Sequence, residues 1–119
     1  MKILNKKINK NKYTFINEGW SNSNGWGHRS VLFKNNYQIA ENKIRYINRT
    51  WEQYEFQSCM QGCVYPLIEN RKSELKERFK EEKNITKLTQ KYEKEFNKYL
   101  KQDSELKELE KLYHSLQWR

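Results

Sequence analysis

Asn48-Arg49-Thr50-Trp51-Glu52-Gln53-Tyr54-Glu55-Phe56-Gln57 divides the chain into two unlike halves. Thr50 and Gln53 have the spacing of a capping box, in which the Thr hydroxyl accepts from the Gln backbone amide and the Gln side chain reaches back to the Thr amide. A helix is therefore predicted to start there. Beyond it, Phe56, Cys59, Met60, Cys63 and Leu67 recur three and four residues apart, which gathers them on one helix face. Before it the period is two. Tyr13 and Phe15 alternate with polar residues, as do Val31 and Phe33 within Arg29–Lys34, and the pattern returns from Tyr37 to Ile47. In that last segment the register stays open, because Tyr37, Ile39 and Glu41 share one parity while Ile44, Tyr46 and Asn48 share the other.

Working outward, the N-terminal half reads as three antiparallel strands. Gly19 to Gly27 supplies Ser, Asn and Gly between two tryptophans and is read as turn; Asn35-Asn36 is a tight turn, since Asn tolerates positive φ. Residues 1–12, with five lysines, form a basic arm or a short edge strand. On the C-terminal side, Pro66 predicts a kink near Gly62 to Pro66, because it removes a helical hydrogen bond. Leu75 and Phe79 extend the stripe. Asn84 is expected to cap a second helix carrying Ile85, Leu88, Tyr92, Phe96 and Tyr99, and Asp103 or Ser104 a third with Leu106, Leu109, Leu112, Tyr113 and Leu116. The expected fold is α+β, a single domain over 1–119: a basic sheet half (13–49) behind the arm, then a helical half (50–119) of one kinked helix and two more.

The net charge is concentrated in one half. Residues 1–49 hold ten Lys/Arg against Glu18 and Glu41, whereas residues 50–119 hold fourteen against thirteen carboxylates, so nearly all of the net +9 belongs to the sheet half. There the cations are interleaved with Tyr13, Phe15, Trp20, Trp26, Phe33, Tyr37 and Tyr46, the mixture that grips phosphates and stacks on bases or on a protein surface. With 35% apolar and 33% charged residues, the core must be thin, which suits an elongated monomer or a homodimer. The start of the chain lacks the apolar run of a secretory signal and no stretch has the length of a membrane span. Cys59 and Cys63, four apart on a helix, are read as reduced thiols, which places the protein in the cytoplasm of its host cell.

Signals for catalysis are thin. Glu41-x-Lys43 is the second half of a metal-dependent nuclease signature whose upstream carboxylate has Glu18 as its one candidate; a solvated strand face explains the pair more simply. His28, His114, Cys59 and Cys63 make zinc ligands only if both distant histidines reach one helix face, and two thiols packing as small hydrophobes is the simpler reading. Neither a P-loop nor a nucleophile with a nearby base is present. No enzymatic activity, metal or cofactor is expected. Arg49, by contrast, sits at a predicted helix N-terminus, where free amides and the helix dipole favour an anion.

The runs Gly27-His28-Arg29-Ser30-Val31-Leu32-Phe33 and Arg45 to Gln57, with its N-R-T-W-E-x-Y-x-F-Q segment, resemble a pattern in small uncharacterised proteins of Gram-positive phages and mobile elements. The resemblance covers about Gly19 to Met60 and not the helical tail. It implies a setting in which short non-enzymatic proteins block host defence, anti-CRISPR proteins among them. The expected function is therefore inhibition of a bacterial nucleic-acid-handling complex, such as a CRISPR nuclease ribonucleoprotein, through Trp26, Arg29, Lys43, Arg45, Tyr46 and Arg49. The alternatives are a basic DNA- or RNA-binding accessory protein and a helical dimerisation module.

Overall fold

Strand alternation extends further than the sequence reading allowed. The computed structural model describes residues 1–46 and 52–116, with backbone alone at 46 and 52–55. Within them β1 (Lys2–Ile8), β2 (Asn11–Asn22), β3 (Gly25–Lys34) and β4 (Tyr37–Tyr46) form an antiparallel meander in the order β1-β2-β3-β4. The sheet thus has four strands instead of three. The lysine-rich N-terminus is an edge strand in full register with β2, from Lys2 opposite Asn17 to Ile8 opposite Asn11. Leu4 and Ile8 supply the reason, since both pack against the core formed by Tyr13, Phe15 and Leu32.

A second correction concerns Gly19 to Gly27. Trp20 pairs with Gly27 inside the β2–β3 ladder, and the turn shrinks to Ser23-Asn24, closed by the Asn24 amide donating to the Asn22 side chain at 2.8 Å. Asn35 and Asn36 do turn the next hairpin, at φ 49° and 74°, the left-handed pair that a two-residue turn with matching twist requires. The split parity of the last strand has a single cause. Leu32 pairs with Ala40 but Phe33 with Gln38, so Ile39 is an extra residue on β4, and both Ile39 and Ala40 turn to the core across this bulge.

One face of the sheet is covered by α1 (Glu52–Lys83) and α3 (Ser104–Ser115). Phe56, Cys59, Met60 and Cys63 of α1 are buried as their spacing predicts, Val64 and Ile68 join them while Leu67 is only partly buried, and Phe15 and Leu32 beneath them are wholly inaccessible. The helix lies close on β4. A Cβ at Gly62 would fall 2.1 Å from the Asn42 side-chain amide, which donates to the Cys59 carbonyl at 3.0 Å. α1 runs unbroken through Pro66, an exposed position, so the proline leaves the Gly62 carbonyl without its helical donor yet does not end the helix. The predicted cap of Thr50 lies outside the described residues.

Asn84 ends α1 instead of starting the next helix. Its φ is 53°, and the Ile85 amide donates back to the Lys80 carbonyl at 3.0 Å, the left-handed closure that satisfies a helix C-terminus. A short 3-10 turn, Gln90–Tyr92, then leads into α2 (Glu93–Lys101). Tyr92, Phe96 and Tyr99 close around buried Phe79 with ring centroids 5.3–6.3 Å away. α3 begins at Asp103, whose carboxylate accepts from the Leu106 amide at 2.8 Å and from Arg71 of α1 at 2.7 and 2.9 Å. Leu106, Leu109, Leu112 and Leu116 join the same core as the sheet residues. Among the described residues no helix is long and apolar enough to cross a membrane.

Candidate functional site

The ladders assign every strand residue to one of two faces. Tyr13, Phe15 and Asn17 share the helix-covered face with His28, Ser30, Leu32 and Asn42; Thr14, Ile16, Glu18 and Trp20 share the other with Gly27, Arg29, Val31, Phe33, Glu41, Lys43 and Arg45. Among the described residues no helix covers that second face. It is the surface on which most of the candidate cations meet.

Arg29, in the middle, is flanked by Glu18 on β2 and Glu41, which it reaches diagonally on β4. Its Nη1 lies 2.8 Å from Glu18 and its Nε 2.6 Å from Glu41. The hydrogen bond from Arg29 holds the Glu41 carboxyl below its ordinary range. The two carboxylates of the nuclease-like signature are therefore brought to one face, and both are engaged by the guanidinium between them.

Toward the far end, Trp20 crosses β3 to reach β4. Its indole N–H donates to the Ile44 carbonyl at 3.2 Å, and the ring lies over Gly27, where a Cβ would fall 3.0 Å from ring atom Cε2 and 1.8 Å from the Ile44 oxygen. Glycine is what lets the ring lie down. The Lys43 ammonium sits over the same indole, 4.4 Å from its centroid, a cation–π contact. Arg45, opposite Gly27, folds back along the strand, its Nε 2.8 Å from where a Cβ of Gly25 would be. At the opposite end of the face stand Lys7 and Lys12, paired across β1 and β2 and both exposed.

Of the candidate residues, Arg29, Lys43 and Arg45 are thus brought together. Trp26 is not among them: it has the parity of His28 and Ser30, the helix-side face, and is paired in register with Tyr46. The Tyr46 side chain and all of Arg49 lie outside the described residues. Trp20, one of the aromatics interleaved with the cations in sequence, is the addition to the expected site residues, since Gly19 to Gly27 reads as turn from sequence alone. Its signal was the two-residue step from Thr14 through Ile16 and Glu18, opposite in parity to Tyr13, Phe15 and Asn17.

Of the soft ligands, Cys59, Cys63 and His28 are neighbours, the Cys59 thiol donating to the His28 backbone carbonyl at 3.5 Å, and His114 lies apart. Cys59 and Cys63 are free and buried, donating to the Asn42 carbonyl at 3.2 Å and the Ser30 carbonyl at 3.4 Å. Burial raises both thiols above their ordinary value, Cys63 to about 12, with Cys59 adding to the effect there, so both stay protonated at neutral pH. His28 packs tilted against Phe56 with ring centroids 4.2 Å apart, while His114 is exposed on α3 beside Tyr113. Among the described residues no three His, Cys, Asp or Glu side chains are grouped to hold a metal ion. A cleft of about 320 Å³ between the sheet and α1/α3 is lined by Tyr13, Lys34, Asn70, Arg71, Glu74 and Glu105; Arg71 within it is tied to Glu74, Asp103 and Glu105. The chain matches no family model, no curated protein and no solved structure.

Proposed function

We propose that this is a non-catalytic binding protein of phage or mobile-element type that docks on a bacterial nucleic-acid-handling defence complex and inhibits it, as anti-CRISPR proteins do. The observation that carries the reading is the open sheet face, where Lys43, Arg45 and Trp20 stand together with no helix of the described residues over them. A basic surface of this kind attracts a polyanionic partner and accelerates its encounter. A dimerisation role for the helices draws less support, because Leu106, Leu109, Leu112 and Leu116 already face the chain's own core.

The test is phage plating on hosts carrying defined defence systems, with and without the protein. Plating should recover for a nucleic-acid-handling system, the Lys43→Glu/Arg45→Glu variant should abolish the recovery, and Lys87→Glu/Lys91→Glu should leave it intact. Unchanged plating on every such host refutes the reading. So does a folded sheet variant that remains fully active.

A further inference from the structure

We infer that the open face accepts a single-stranded nucleic-acid segment laid along the strands, from the Lys7–Lys12 end to the Trp20–Lys43–Arg45 end. The inference rests on the reading of this face as the docking surface and names what docks there. Three features of the face support it.

First, free positive charge stands at the two ends and not in the middle. Lys7 and Lys12 mark one end and Lys43 and Arg45 the other, whereas Arg29 between them is outweighed by its two partners Glu18 and Glu41. A duplex presents a continuous double row of phosphates and keeps its base faces hidden, so it gains nothing from a centre without net positive charge. Second, an apolar strip crosses the floor between the charged ends, beside the Arg29–Glu18–Glu41 cluster and the Thr14–Asn5 hydrogen bond. Ile3, Ile16 and Val31 are cross-strand neighbours, with Phe33 beside Val31 along β3. Unpaired bases supply flat, weakly polar surfaces to cover such a strip.

Third, Trp20 is fixed lying across the sheet by its hydrogen bond to Ile44 and by the recess at Gly27, with Lys43 as its companion. Stacking of a base on an aromatic ring outweighs an exposed cation–π contact, so an arriving base takes the ring and frees the Lys43 ammonium for the adjoining phosphate. An acidic protein segment would pair with the end cations but would leave the indole and the apolar strip unmatched. From Lys12 to Trp20 is eight residues along β2, roughly 26 Å at the usual strand rise. That is room for about four nucleotides, the lower end of the site sizes of single-strand binders.

The experiment is fluorescence anisotropy of the full chain with labelled oligouridine and oligothymidine of about 12 nucleotides, a duplex of equal length and a glutamate-rich peptide, at low salt near 50 mM. Single strands should bind roughly tenfold or more tighter than the duplex, Trp20→Ala should weaken them about tenfold, and Trp20→Phe should retain most of the affinity. Lys43→Glu/Arg45→Glu should flatten the salt dependence by about 1.4 in log–log slope, two single-strand phosphate contacts. Circular dichroism melts identify any variant that unfolds, and Trp20→Phe with Lys43→Gln tests the site if Trp20→Ala does. Equal or tighter duplex binding, tighter peptide binding, no single-strand binding, or a folded Trp20→Ala protein with unchanged affinity each overturns the inference. Plating recovery without single-strand binding refutes this inference alone. Single-strand binding without plating recovery refutes the inhibitor reading alone.

Discussion

Replacing Glu108 by Gln should loosen the attachment of α3 to the sheet. The Glu108 side chain is buried and accepts from Asn11 Nδ2 at 2.8 and 2.9 Å, from Asn9 Nδ2 at 3.3 Å and from the Tyr13 hydroxyl, with Lys34 Nζ at 3.7 Å. Burial by itself would push this carboxyl up, but the hydrogen bonds from Tyr13, Asn11 and Asn9, helped by the Lys34 charge, hold it below its ordinary value. Burial and the neighbouring carboxylate also push the Tyr13 hydroxyl up, so the proton stays on the phenol. A carboxamide fills the same space, yet it has one accepting oxygen and turns a donor toward the Asn and Tyr donors. Hydrogen bonds to a charged acceptor are worth about 1.5–3 kcal/mol each and are not additive, so the loss at pH 7 should be about 3 kcal/mol. For a domain of this size that lowers Tm by roughly 10 °C. Thermal melts by circular dichroism across the acid range give the sharper check. The folded carboxyl titrates below the unfolded one, so its contribution is fully present above the ordinary value of 4.5 and is lost as pH falls through the lower folded value. The gap between wild type and Glu108→Gln should therefore close in acid. Equal melts at pH 7, or a gap that persists unchanged into acid, would refute the reasoning.

Asp103→Ala removes both the α3 cap and the two-pronged partner of Arg71, whose side chain is largely buried, and should cost about 2–4 kcal/mol in chemical denaturation. Gly27→Ala places a methyl group 1.8 Å from the Ile44 carbonyl and against the Trp20 ring, and should cost about 3 kcal/mol or abolish folding, whereas Gly19→Ala, whose Cβ would lie 3.9 Å from the Gly27 carbonyl oxygen, should melt within a few degrees of wild type. Cys59→Ala with Cys63→Ala should lower stability by about 1 kcal/mol or somewhat more per site without changing partner affinity; stoichiometric zinc in the purified protein, lost with binding in the double variant, would contradict the structural role of these thiols.

The strand and helix periods made most of the fold legible, and the departures have local causes. β1 was ambiguous because its apolar residues are separated by lysines, and an edge strand needs only Leu4 and Ile8 on the core side to hold its place. The glycines of Gly19 to Gly27 suggested a loop, but Gly27 serves the ladder by making room for Trp20. The register of β4 could not be chosen from parity because the bulge at Ile39 switches it partway, and only the pairing partners on β3 reveal the switch. Asn84 was correctly seen as a helix boundary and assigned to the wrong side of it, since Asn serves both as an N-cap and as a left-handed C-terminal residue. For the site, Lys43 and Arg45 share one parity of β4, and Arg29 of β3 joins their face only once the strands pair. The alternation could not show that Glu18 and Glu41 come from opposite sides to the same guanidinium, because that contact is made across strands.

That contact changes what Arg29 should do in a binding experiment. Counted as a charge, it belongs with Lys43 and Arg45; in the structure it is flanked by more negative charge than it carries. Arg29→Gln would therefore leave Glu18 and Glu41 facing each other and any arriving phosphate, and should weaken a polyanionic partner through repulsion from these carboxylates. Removing both carboxylates with Glu18→Gln and Glu41→Gln in the Arg29→Gln background leaves the cluster less negative than in the native chain and should then recover most of the affinity, because the charge at the two ends of the face is untouched. Recovery identifies Arg29 as an organiser of the strands and their charges. If the triple variant folds, by circular dichroism, and still fails to bind, Arg29 touches the partner itself.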